Sequence, residues 1–208
     1  MVAYMRGQFP FAGIPTPERR ALDREVLAGL PAPGETQLRS VALACFERDE
    51  REFQYFAVDY LRRHVRVCSP RFLTTARRLI VTKSWWDTVD GLASRTVGGL
   101  VAAHPELVPS MDRWVLDRNI WIARSALLHQ LNSRTHTDAG RLFAMCLARA
   151  DSTEFFLRKA IGWALREYSK TDADAVRRFV HDHQGELSEL SKREALKWLT
   201  RRAGTPVR

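Results

Sequence analysis

The densest run of chemistry-bearing side chains in this sequence is Thr82-Lys83-Ser84-Trp85-Trp86-Asp87-Thr88-Val89-Asp90. On a helix Trp86 and Asp90, four apart, share one face, and an indole beside a carboxylate can wall a pocket. Trp85 and Val89 share the adjacent face, which is expected to enter the core. An isolated Asp on a helix is more often solvated and an isolated Trp more often buried, so this pairing alone leaves both readings open. Ser84 is expected to cap the helix, with Asp87 three residues on returning the hydrogen bond as in a capping box.

Two further segments carry side chains of the same kinds. In Asn119-Ile120-Trp121-Ile122-Ala123-Arg124, Asn119 can cap a helix that presents Arg124 in its first turns. The stretch from Glu154 to Tyr168 carries Trp163 beside Gly162, and a glycine inside a helix costs about 1 kcal/mol relative to alanine. Close helix packing and close approach of a ligand are the two reasons open for Gly162. Other chemistries find no support. His181 and His183 are two apart on an expected helix and face different ways, and the histidines never take a zinc spacing. No phosphate-binding glycine loop or nucleophile elbow occurs, and neither a metal nor a cofactor is expected.

These residues must be positioned by helices. Apolar residues recur at i, i+3, i+4, i+7 almost throughout, so the chain reads as all-α, with ten or eleven helices of about 10–20 residues. Breaks are expected at Pro15 and Pro17, Pro31 to Gly34, Ser69-Pro70, His104-Pro105, Asp117 to Asn119, Ser133 to Thr137, Ser152-Thr153, Lys170 to Asp172 and Gln184-Gly185. No linker divides the chain, so residues 1–208 are expected to form one domain. A core of Arg-x-Ala-apolar recurs at Arg124, Arg158 and Arg193, spaced 34 and 35 residues apart, and Ala57 falls in the same phase two periods earlier. Helix pairs of this length suggest an α-solenoid of HEAT-like repeats, although regular loops alone also produce approximate periods. In the solenoid reading the three arginines line up on a basic concave face, a track for a phosphate backbone.

Composition bounds the partners. The 208 residues carry 33 Lys and Arg against 24 Asp and Glu, a net charge of +9, while 45% are hydrophobic. That excess points to a polyanionic partner, and the apolar content excludes a disordered chain. Cys45, Cys68 and Cys146 are odd in number and lack a CxxC spacing, so buried thiols in a reducing compartment are expected. No apolar stretch has the length of a membrane span, and the protein is expected to be cytoplasmic and monomeric.

Several blocks, in order, resemble the AlkD-type DNA alkylation repair glycosylases, which are built from HEAT-like repeats. They are Tyr4 to Ile14 with Thr16-Pro17-Glu18-Arg19-Arg20, Arg51-Glu52-Phe53-Gln54, Thr82 to Asp90, Asn119-Ile120-Trp121, Lys159 to Trp163 with Leu165-Arg166-Glu167-Tyr168, and Leu190 to Ala195. The resemblance runs from Tyr4 to about Leu199. It implies hydrolysis of the N-glycosidic bond of purines alkylated at N3 or N7 in double-stranded DNA, without base flipping and without lyase activity. It also implies a pocket of two tryptophans, an aspartate and an arginine, which fall on Trp86, Trp163, Asp90 and Arg124. Arg124 is expected to fix either a phosphate or Asp90 itself. The DNA-binding set expected with this reading is Lys83, Arg158, Lys159, Arg166, Lys170, Lys192, Arg193, Tyr4 and Arg6. Segment 1–16 is short against the family pattern, in which a further helix precedes the Tyr-Met block. The alternative is a HEAT-like scaffold that binds nucleic acid or protein without catalysis.

Overall fold

The computed structural model describes residues 4–203, so residues 1–3 and 204–208 of the expected domain lie outside the described residues. The described residues form α1 (Thr16–Leu27), α2 (Glu35–Glu47), α3 (Arg51–His64), α4 (Phe72–Val81), α5 (Trp86–Gly91), α6 (Gly98–Ala103), α7 (Val108–Trp114), α8 (Ile120–Leu128), α9 (Ala139–Leu147), α10 (Phe155–Tyr168), α11 (Ala173–Asp182) and α12 (Glu189–Ala203). Helices α5 and α6 are the two ends of one helix interrupted by a π segment, Leu92–Val97. No strand occurs among the described residues, and none of the helices is long and apolar enough to cross a membrane.

The expected punctuation marks most helix starts. Asn119 Oδ1 accepts from the amides of Trp121 (3.0 Å) and Ile122 (3.4 Å), Asp138 Oδ1 from Arg141 (2.9 Å) and Asp172 Oδ1 from Ala175 (2.8 Å). Each satisfies a donor that a helix start would otherwise leave unpaired. The expectation for Ser84 and Asp87 is corrected. Ser84 Oγ donates back to Ile80 O (2.7 Å), Trp85 holds the cap position without a side-chain cap, and Asp87 takes its partners from another helix. The break between α2 and α3 has no Pro or Gly to announce it. It is closed by Gln54, whose Nε2 donates to the carbonyls of Cys45 and Arg48 at 2.8 Å each.

Each helix packs on near neighbours in sequence: α3 on α2, α5 and the π segment, α8 on α4, the π segment and α10, and α10 on α12. This serial stacking fits an α-solenoid. Ala57, Ala126, Ala160 and Ala195, the small positions of the recurring core, are fully buried where helices meet. Close approach also explains Gly162, since a Cβ there would stand 2.5 Å from Glu194 Cβ and 2.8 Å from Ser191 O on α12. Of its two open readings, helix packing is the one realised. At Gly98 a Cβ would stand 2.2 Å from His129 O, so the end of the π segment is pressed against the end of α8.

The arginines of the recurring core do not form a uniform row. Arg124 is buried, Arg158 is half-buried with Nε donating to Ser152 O (2.6 Å), and Arg193 is exposed. The reason is what each meets: a carboxylate on α5 for Arg124, a carbonyl of the loop before its own helix for Arg158, and no following described helix for Arg193. Cys68 and Cys146 are buried as expected while Cys45 is half-buried, and burial pushes the Cys45 and Cys68 thiols up to about 11.

Candidate active site

Residues 4–14 cross α3 as a strap. Glu52 on α3 accepts from the amides of Ala12 (3.0 Å), Gly13 (2.9 Å) and Ile14 (3.2 Å), and Arg51 N donates to Pro10 O (3.0 Å). Gly13 sits at φ +85°, a left-handed turn that glycine tolerates without strain. The strap delivers Tyr4 edge-on to Trp86, with ring centroids 5.8 Å apart and planes at 88°. Tyr4 remains 70% exposed, so this contact builds a rim rather than a core.

Tyr4, Trp86, Asp90 and Trp163 line one open pocket of about 540 Å³. The helical spacing therefore does place Trp86 and Asp90 on a shared face, while Val89 is fully buried and Trp85 packs against Trp121 (5.8 Å) and Phe156 (5.1 Å). Arg124 does not line the pocket and instead sits behind it. Its Nε donates to Asp90 Oδ1 (2.7 Å), Nη2 to Asp90 Oδ2 (2.9 Å) and Nη1 to Phe156 O. One guanidinium thus ties α5, α8 and α10 together, and α5 and α10 are the helices that carry Trp86, Asp90 and Trp163. A bidentate fork of this kind fixes the carboxylate in both position and rotation. Of the two partners open to Arg124, the structure brings it to Asp90.

Burial is the largest influence on Asp90 and raises its pKa above the usual carboxylate value, outweighing the downward pull of Arg124, with Asp87 adding a further upward push. The carboxylate is therefore a better base than an exposed aspartate.

A second clamp, not foreseen from the spacing, holds the start of the same helix. Arg51, fully buried beneath the Phe9 ring (3.8 Å), donates Nε and Nη2 to the two oxygens of Asp87 (3.0 and 2.6 Å), Nη2 also to Thr88 Oγ1 (2.9 Å) and Nη1 to Lys83 O (2.8 Å). Tyr55 Oη donates to Asp87 Oδ2 (2.7 Å), and burial together with that bond pushes the Tyr55 phenol pKa up. Lys83 has φ +46°, a sparsely populated backbone for a residue with a side chain. Its carbonyl is held by Arg51, while its ammonium bonds Glu47 O, Arg48 O and Asp49. Helical phase offered one clue, because Tyr55 lies one turn beyond Arg51 in the quoted Arg51-Glu52-Phe53-Gln54 block.

Of the nine residues expected to touch DNA, only Tyr4 lines this pocket. Lys159 (3.1 Å) and Arg166 (2.8 Å) converge on Glu194, Lys170 pairs with Glu167 (2.6 Å), Lys192 with Glu189 (2.6 Å) and Lys83 with Asp49 (3.2 Å). Arg6, in a left-handed turn at φ +55°, and Arg193 are exposed. The pocket's cations are others: Arg19 and Arg20 on α1, Arg62 on α3 and Arg95 in the π segment. They escaped notice because they come from three separate elements with no shared spacing. Among the described residues no group of three or more His, Cys, Asp or Glu side chains is placed to hold a metal ion.

A family model described as DNA alkylation repair enzyme matches residues 1–199. The chain is similar to a solved structure, "Predicted DNA alkylation repair enzyme from Enterococcus faecalis", with a TM-score of 0.87 and 35% sequence identity over 96% of this chain and 92% of that one. No curated protein matches the chain. A match that runs nearly end to end, on a fold that agrees in the same detail, places the chain in the family of DNA alkylation repair enzymes, with a role in DNA repair.

Proposed function

We propose that the protein is a monofunctional DNA glycosylase that hydrolyses the N-glycosidic bond of cationic N3- and N7-alkylated purines in duplex DNA. The observation that carries this reading is the pocket in which Trp86, Asp90 and Trp163 meet, with Arg124 clamping the carboxylate from behind. An alkylated purine already bears positive charge, so its leaving needs no acid. The C1′–N bond breaks with its electron pair moving to the base, which neutralises the purine and leaves an oxocarbenium-like sugar. Asp90 stabilises that charge, and water adds to C1′ as its proton passes to Asp90. The products are the free base and an abasic sugar bearing a 1′-hydroxyl. This is the electrostatic logic of glycoside hydrolysis without the acid partner. The indoles of Trp86 and Trp163 offer π faces to the cationic lesion and its sugar, worth about 0.5–2 kcal/mol.

A catalytic carboxylate must be fixed where charge develops, and the fork from Arg124 supplies that rigidity. Because Arg124 is spent on Asp90, phosphate contacts fall to exposed cations. Exposed Arg6 and Arg193 and the pocket's own Arg62 and Arg95 are the groups we assign to the phosphates. Recognition without base flipping belongs to the same reading, since an open pocket meets sugar and backbone without enclosing a base. The protein is read as a cytoplasmic monomer.

Chromatographic analysis of bases released from methylated duplex DNA tests the reading, with 3-methyladenine and 7-methylguanine as the expected products and no strand cleavage. DNA binding with a steep salt dependence but no released base would instead favour the non-catalytic scaffold. A 2-aminopurine beside the lesion should stay quenched on binding, and brightening would overturn recognition without flipping.

A further inference from the structure

The pocket holds four carboxylates, and three of them are neutralised from the protein side. Asp59 accepts from Arg19 (2.8 Å) and Arg20 (3.1 Å), Asp87 from Arg51, and Asp90 from Arg124. Glu167 differs. Its partner is Lys170, three residues on and at 44% side-chain exposure, and Glu167 itself is 33% exposed. An exposed pair of this kind is weak and screened by salt, so the negative charge of Glu167 stays available.

Its position directs that charge. Glu167 lies one turn beyond Trp163 on α10 and so shares its face. It also lines a neighbouring cavity of about 590 Å³ that meets the site pocket at Leu131 and Glu167. Exposed Arg62 on α3 and Arg95 in the π segment line the same pocket. The carboxylate on the Trp163 face of the pocket is therefore Glu167, held by a salt-screened pair with Lys170.

We propose that Glu167 is a specificity-determining residue that selects cationic over neutral nucleobases by placing a weakly paired carboxylate beside Trp163, while the pocket's exposed arginines take the backbone phosphates. This rests on the glycosylase reading for its substrate class. The interaction belongs to the bound lesion. As the glycosidic bond breaks, positive charge leaves the base for the sugar, so Glu167 strengthens binding of the cationic ground state and Asp90 acts on the transition state. Loss of Glu167 should accordingly raise KM, and loss of Asp90 should lower kcat.

The test uses two duplexes of the same shape that hold on to their base. One carries 7-methylguanine on 2′-fluoroarabinose, which is cationic and resists bond cleavage, and the other carries neutral 7-methyl-7-deazaguanine on the same sugar. The full chain should bind the cationic duplex about five-fold more tightly, and Glu167→Gln should remove most of that preference. Lys170→Met, which releases Glu167 from its partner, should increase the preference, the ratio cancelling any loss of general DNA affinity. A preference unchanged in Glu167→Gln, or absent from the unmodified protein, overturns the inference. If base is released while the preference survives Glu167→Gln, this inference fails and the glycosylase reading stands. If the preference is lost in Glu167→Gln but no base is ever released, the glycosylase reading fails and the charge selection stands.

Discussion

Two arginine clamps grip the same short helix, α5, with the same hydrogen-bond pattern and different consequences. Arg51 gives Nε and Nη2 to Asp87 and Nη1 to a backbone carbonyl, and Arg124 does the same for Asp90. Around Asp87 the pattern is closed, because Tyr55 adds a further donor and Phe9 covers the guanidinium. Around Asp90 it is open, since Arg124 supplies the side-chain donors to its carboxylate while the pocket lies in front of it. A carboxylate whose lone pairs are taken up by two side chains anchors structure, whereas one gripped by a single guanidinium keeps lone pairs for a reaction.

The comparison fails if the two aspartates respond alike to mutation. Asp90→Asn should lower base release by about a thousand-fold, ~4 kcal/mol in the barrier, in the fraction that stays folded. A variant that keeps near-normal release would remove Asp90 from the chemistry. Arg51→Met should act on stability instead, costing about 3 kcal/mol in urea unfolding, because it leaves Asp87 buried without its counter-charge. Unfolding indistinguishable from the unmodified protein would mean that the closed clamp is not an anchor.

The pH dependence sharpens the difference. Asp90 must be ionised, so kcat/KM should be full above its pKa and fall as pH drops through it. Burial sets that value above the ordinary carboxylate range and Arg124 pulls it down. In Arg124→Gln the acid limb should therefore move to higher pH, and a limb that stays in place would show that another group titrates. The smallest effect belongs to Tyr55→Phe, which removes one donor from the closed clamp. About 1 kcal/mol of stability should be lost with base release within two-fold of normal, and a large rate loss would mean that Asp87 takes part in the chemistry.

Much of the fold was legible in local chemistry. Asn119 and Asp172, both at expected breaks, start helices because a short polar side chain can satisfy free amides without tertiary help. The period through Ala126, Ala160 and Ala195 was legible because only a small residue fits where helices cross. Ser84 was misread because its hydroxyl had a nearer acceptor in Ile80 O, and the α2–α3 break escaped because its closing group, Gln54, lies beyond the turn. The expected row of arginines reduced to single cases for a related reason: equal spacing along the chain puts residues at equal phase but says nothing of what each of them meets.

The sequence by itself determined an all-helical, basic chain with Trp86 and Asp90 on one face, since helical phase and net charge are properties of local order. Only the tertiary structure decided that Trp163 lines the same pocket, that Arg124 serves the carboxylate and not a phosphate, and that Asp87 is held by Arg51. Those outcomes depend on which helices stack, and burial, which raises the pKa of Asp90, exists only once they have done so.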